Sequence, residues 1–282
     1  MKIFSIEGNR QRLDGGAMFG NAPREVWKTW SAPDDKNRID LACRALLIHT
    51  DDGKNILCEA GIGDFFEPKL KERFGVFEAG HQLLINLKKL GVEPQQIDAV
   101  ILSHLHFDHA GGLLSSFDEG EPHLVFTNAK YYVGRKHWER ATHPHNRDKA
   151  SFIPTLNLLL EKSGRLCLVE EGKPTDLAPH ITFQFTDGHT PGLMHAVLQH
   201  PAGPILFAAD LIPGLSWMHL PITMGYDRYP EKLIDEKLAV LTDLLTQKGL
   251  VFLTHDPITP LAEVAQDAKG KFLGLARPEL LS

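Results

Sequence analysis

The segment His104-Leu105-His106-Phe107-Asp108-His109 limits this chain more than any other. Three imidazoles and a carboxylate follow directly on the apolar run Val100-Ile101-Leu102-Ser103, where a strand is expected to end. Polar rings buried at such a place need partners, so a purely structural role is a poor fit. In an extended or tightly looped backbone, residues two apart point the same way. His104 and His106 can therefore grip one cation, while Asp108 and His109, after the chain turns, can grip a second. Gly111 and Gly112 permit the tight turn that follows. Neutral imidazole and carboxylate suit a borderline divalent ion such as zinc.

A cation held by two histidines is under-coordinated, so further ligands are expected downstream. His189 in Asp187-Gly188-His189-Thr190-Pro191-Gly192, Asp210 after Ala208-Ala209 and His255 in Thr254-His255-Asp256 each follow a strand-like run. The carboxyl ends of strands are where rigid elements deliver side chains into converging loops. Of the 15 histidines, the others carry less weight. His137, His143, His145 and His200 read as solvent-facing, and His81 as lying on a helix surface.

Short apolar runs alternate with helical periodicity along the whole length, which predicts an α/β class. Strands are expected over 44–49, 55–58, 99–103, 124–127, 181–187, 195–199, 205–209 and 250–254. Helices are expected over 78–90, where Leu83, Leu87 and Leu90 share a stripe before Gly91, and over 231–248. In the latter, Pro230 stands at the first position and Gly249 just past the end. Weaker patterns cover 130–140 and 153–162. No linker or repeat interrupts residues 1–282, which read as one domain.

Composition removes several classes. Lys plus Arg number 30 against 36 for Asp plus Glu, a formal charge of −6 without a basic stripe, so nucleic acid is not expected as a partner. No run approaches a membrane span in length, and the start lacks the apolar stretch of a secretory signal. Cys43, Cys58 and Cys167 form no CxxC pair and cannot all be bridged, which favours a reducing, cytoplasmic setting.

Taken with their order, HLHFDH, DGHTPG, the AAD ending at Asp210 and the THD around His255 resemble the metallo-β-lactamase superfamily over nearly the whole chain. The resemblance implies an αβ/βα four-layer sandwich with a dinuclear site. His104, His106 and His189 would hold one metal, Asp108, His109 and His255 the other, with Asp210 bridging. Two divalent ions follow as cofactors, zinc first, with Mn, Fe and Co also suited to mixed N/O sites. Asp14-Gly15-Gly16-Ala17-Met18-Phe19-Gly20 and Met224-Gly225-Tyr226-Asp227-Arg228-Tyr229-Pro230 resemble the branch of N-acyl-homoserine lactonases and methyl parathion hydrolase. Many of those lactonases carry a tyrosine three residues after the bridging aspartate; Pro213 stands there, which leaves Tyr226 as the candidate oxyanion donor.

The expected activity is hydrolysis of a small, largely apolar lactone or carboxylic ester, as in quorum quenching, with a hydroxide shared by the two ions as nucleophile. Asp108 is the candidate proton donor to the departing alkoxide. Met18, Phe19, Trp217, Met218 and His219 are the candidate substrate contacts, because small-molecule sites are mostly apolar. Phosphotriester or aryl ester hydrolysis is the enzymatic alternative, and a metal-containing ligand sensor the non-catalytic one. A small molecule is the expected partner; a homodimer is compatible with the reading, though no residue indicates it.

Overall fold

Runs of β-branched, leucine and aromatic residues bounded by glycine, proline and aspartate set the strands of this chain. The computed structural model describes residues 1–177 and 179–282, which fall into two compact units. Among them, no helix is long and apolar enough to cross a membrane. Strand β1 (Lys2–Glu7) opens the chain, and β2 (Gln11–Asp14) pairs with β3 (Arg38–Leu41) as a two-stranded ribbon. Strands β4 (Arg44–His49), β5 (Asn55–Cys58), β6 (Ala99–Leu102), β7 (Lys130–Gly134) and β8 (Leu166–Val169) follow. Strands β9 (Ile181–Thr186), β10 (Leu193–Leu198), β11 (Ile205–Phe207), β12 (Leu250–Phe252), β13 (Leu261–Gln266) and β14 (Phe272–Ala276) complete the set. The helices are α1 (Gly15–Phe19), α2 (Arg24–Trp27), α3 (Pro68–Arg73), α4 (Gln82–Lys89), α5 (Phe107–Ala110), α6 (Arg135–Thr142), α7 (Pro154–Lys162) and α8 (Pro230–Gln247).

The first unit, Met1–Gln11 with Ala42–Lys173 and Leu281–Ser282, is built on a six-stranded sheet in the order β1-β4-β5-β6-β7-β8. β1, β4 and β5 pair antiparallel, whereas β5 to β8 run parallel. All four residues of β6 are buried, as a parallel strand covered on both faces requires. Leu83 and Leu87 of α4 and Leu156 and Leu160 of α7 join Leu57, Val100, Leu102 and Tyr131 in one core. Each fully buried leucine contributes roughly 1.5–3 kcal/mol.

The second unit, Arg12–Leu41 with Pro174–Leu280, carries a six-stranded sheet in the order β14-β13-β12-β11-β10-β9. Only β11 and β12 pair parallel. Helix α8 packs on β13. A separate aromatic core places Phe19 between Trp27, 5.5 Å away, and Trp217, 4.5 Å away, both stacked.

Several sequence expectations need correction. Residues 130–140 divide into β7 and α6: Tyr131-Tyr132-Val133 prefer a buried strand, and Gly134 begins the turn into the helix. In 124–127, only Leu124 pairs, as a single bridge to Leu114. Strands β1, β2, β3, β8, β13 and β14 had no alternation clear enough to mark them. Gly91 adopts the expected positive φ of 76°. At the end of α8, however, it is Lys248 that takes the left-handed cap, at φ 53°, one position before Gly249.

Candidate metal centre

In the first unit, β6 ends at Leu102 and the chain passes through Ser103 into the histidine cluster. His106 stands at the residue just before the single turn of α5. The His104 ring lies 4.4 Å from that of His106 and 4.1 Å from that of His109. Behind them stands Glu59, at the carboxyl end of β5 and fully buried. Its Oε2 lies 2.8 Å from His109 Nδ1, and its Oε1 accepts the Ser103 hydroxyl. Ser103 Oγ in turn lies 2.9 Å from His104 Nδ1. An ionised carboxylate only accepts, so the protons of this chain sit on His109 Nδ1, Ser103 Oγ and His104 Nδ1. Both imidazoles thereby present Nε2 as a lone pair, the arrangement typical of metal-binding histidines.

Other contacts hold this loop. Gln11 Nε2 donates to Asp108 Oδ2 at 2.8 Å, and the Leu105 backbone N–H donates to His137 Nε2 at 2.8 Å. Phe152 places its ring 5.0 Å from that of His106. Glu59 has φ of 63°, a left-handed conformation that costs a non-glycine residue about 1–2 kcal/mol. Such strain concentrates at functional positions. Gly112 must lack a side chain, since a Cβ would lie 2.0 Å from the Ala60 carbonyl oxygen.

The second unit has a matching arrangement. His189 follows β9, Asp210 lies in the turn after β11, and His255 comes just after β12. His189 Nε2 is 3.2 Å from Asp210 Oδ2, and His255 Nε2 is 3.2 Å from Asp210 Oδ1. His189 Nδ1 lies 2.8 Å from Asp227 Oδ1. A neutral imidazole has a single N–H, yet both nitrogens of His189 face carboxylates. With that proton on Nδ1 toward Asp227, the separation at Nε2 suits two donors around one cation. Ligands bound at ~2.0–2.1 Å in tetrahedral geometry are about 3.3–3.4 Å apart. Ala209, next to the carboxylate, has φ of 45°. This donor set, all imidazole nitrogen and carboxylate oxygen, fits a divalent metal of the zinc type.

All seven candidate ligands lie at the carboxyl ends of strands or in the loops just beyond, as the motif spacing implied. Tyr226 is exposed, and His219 is half-buried on a groove of about 370 Å³ with Trp30, Leu215, Lys271 and Phe272. Met18, Phe19 and Trp217 belong to the aromatic core, where Trp217 Nε1 donates to the Met18 carbonyl at 2.9 Å; Met218 is also buried. His143 and His145 are exposed as expected. His137 and His81 correct the solvent-facing and helix-surface readings: both are buried, His137 against the Leu105 backbone N–H and His81 against the Gly112 carbonyl. His200 is half-buried.

Glu59, Asp227, Gln11 and His137 were not singled out from the sequence. Glu59 had a usable signal, a carboxylate ending the apolar run Ile56-Leu57-Cys58, which is the pattern that marked Asp210. Away from the cluster, His195 is buried beside Thr186, Nε2 to Oγ1 2.8 Å, and burial pushes its pKa down to about 4.

Residues 38–255 match the family model of the metallo-beta-lactamase superfamily, and the chain belongs to that superfamily. It is thus a hydrolase of the metal-dependent kind with the metallo-β-lactamase fold. It is similar to an N-acyl homoserine lactonase of a Bacillus species, 28% identical over 229 residues that span 77% of this chain and 82% of that protein. Among solved structures, it is similar to a probable metal-dependent hydrolase from Staphylococcus aureus, with a TM-score of 0.87 and 27% identity over 98% of this chain and 96% of that one. The dizinc quorum-quenching lactonase AidC, solved with a product N-hexanoyl-L-homoserine, shares the fold at a TM-score of 0.77 and 23% identity, covering 98% and 94% of the two chains.

Proposed function

We propose that this chain is one catalytic domain that opens small, largely apolar lactones or carboxylic esters. It would hold two divalent ions, zinc being the best match. His104, His106 and His189 serve one ion, Asp108, His109 and His255 the other, and Asp210 both. The observation that carries this reading is the carboxylate of Asp210, each of whose oxygens lies 3.2 Å from the Nε2 of a different histidine. The similarity to N-acyl homoserine lactonases supports the substrate class. When bound, such a pair of ions supplies an acidified water and a Lewis acid for the substrate carbonyl.

The chain's own groups do the rest. Glu59 and Asp227 keep protons on the Nδ1 atoms of His109 and His189, so that each Nε2 stays unprotonated. Asp108, fixed at Oδ2 by Gln11, would take up the proton released by the attacking water and pass it to the departing alkoxide. Tyr226, an exposed tyrosine of the 224–230 segment, donates to the developing oxyanion. His219 contacts substrate directly, with the packed Met18, Phe19, Trp217 and Met218 giving that wall its rigidity. Because the histidines must be neutral to bind a cation, activity falls as pH drops below ~6.5.

The test combines metal analysis with a substrate panel of acyl-homoserine lactones, aryl esters and a phosphotriester, using His109→Ala as the inactive control. Asp108→Ala should lose one equivalent of metal while His219→Ala keeps both and changes KM. Lactone turnover no faster than the control would reject the substrate class, and preference for the phosphotriester would replace it. A wild-type protein that binds no divalent metal would reject the centre itself.

A further inference from the structure

Helix α8 carries a lysine where an amphipathic helix should bury a hydrocarbon. Lys237 is fully buried, on the same side of the helix as Leu233, Leu241 and Leu244. Its Nζ donates to three backbone carbonyls, those of Trp217 at 2.9 Å, His219 at 3.3 Å and Ile222 at 2.6 Å. An ammonium has three N–H groups and no acceptor, so the three carbonyls match its donors one for one. A charge taken out of water is expensive even when paired. Burial pushes the Lys237 pKa down to about 7, with Asp227 opposing that shift.

The bonded segment leads to the metal centre. Residues 217–222 run on to Met224, whose backbone N–H donates to Asp227 Oδ2 at 2.6 Å, and Asp227 Oδ1 faces His189 Nδ1. Glu236, the neighbour of Lys237, accepts the backbone N–H groups of Asp187 and Gly188 at 2.8 and 2.9 Å. Gly188 itself lies so close to Leu233 that a Cβ would sit 2.4 Å from the Leu233 Cα. Consecutive residues of one helix thus hold both the loop that carries His189 and the segment that carries its carboxylate partner. A methionine at 237 would fill the same space without drawing in any carbonyl.

We propose that Lys237 is a positioning residue of the metal centre, drawing the carbonyls of Trp217, His219 and Ile222 onto α8 so that Asp227 is held against His189. This rests on the reading above, in which His189 binds a metal ion. It acts through Asp227 and touches neither substrate nor metal.

Zinc affinity of the full chain, measured by competition with a chromophoric chelator, tests it. Wild-type protein should bind two equivalents; Lys237→Met should weaken one of them about tenfold or more, the usual effect of losing a group behind a metal ligand. Lys237→Gln, which keeps two N–H donors and a polar tip, should fall between them and carries the test if the methionine variant does not fold. In combination with Asp227→Asn, the lysine substitution should add no further loss, because both act on one imidazole. Wild-type binding of two equivalents together with substituted proteins within twofold of it would overturn the role of Lys237 alone. Losses that multiply in the double variant would do the same, since they would mark a general structural effect. If the wild type binds no zinc, the metal reading fails and this inference fails with it.

Discussion

Glu59→Gln probes the electrostatic logic of the centre, because it preserves volume while removing the charge and changing which atoms can donate. The carboxylate accepts from His109 Nδ1 at one oxygen and from Ser103 Oγ at the other, and Ser103 relays to His104 Nδ1. An amide has one acceptor oxygen and one donor nitrogen. If its oxygen stays on His109, its NH₂ meets the serine oxygen, and the hydroxyl hydrogen turns toward His104 Nδ1. That selects the tautomer with the proton on Nε2, the atom that should bind metal. The opposite amide orientation sets His109 wrong instead. One charge-assisted hydrogen bond is lost either way, worth about 1.5–3 kcal/mol. At 1.4 kcal/mol per decade this weakens metal binding roughly ten- to hundredfold. Folding of the metal-free protein should change far less, since a buried charge gives way to a neutral group of equal shape. The assay is zinc affinity by chelator competition, with thermal unfolding in EDTA as the control for folding. Zinc affinity within twofold of wild type in a folded Glu59→Gln protein would refute the tautomer argument.

Gly112→Ala should destabilise the protein by about 1–3 kcal/mol and lower its metal content, because the new Cβ would lie 2.0 Å from the Ala60 oxygen; urea unfolding and zinc analysis check both. Phe19→Ala should cost about 3–5 kcal/mol of stability, as a ring stacked between Trp27 and Trp217 is removed, and a calorimetric melting temperature close to wild type would contradict the core assignment. His195 binds a proton less readily when folded, at about 4, than when unfolded, at about 6.5, so its contribution is complete above pH ~6.5 and is lost as pH falls toward 4. At 1.36 kcal/mol per pH unit that amounts to about 3 kcal/mol, and His195→Asn should flatten this part of the stability–pH curve in chelator-treated protein.

The candidate ligand motifs stand out in the sequence because metal chemistry forces scarce residue types into short, fixed spacings, and because each lies at the end of an apolar run. Strands β4 and β5 and helix α7 were legible from local pattern for the same reason, that their neighbours in sequence share one environment. What only the tertiary structure decided is the set of groups behind those ligands. Glu59 meets His109 across 50 residues, Asp227 meets His189 across 38 and Gln11 meets Asp108 across 97. A glutamate or glutamine in such a position has no periodicity to betray it, since its role depends on which distant atom the fold brings within hydrogen-bond reach. The same holds for His137 and Lys237, polar side chains that composition alone assigns to solvent. Their burial is tolerable only because a backbone N–H in one case and three carbonyls in the other arrive from elsewhere in the chain.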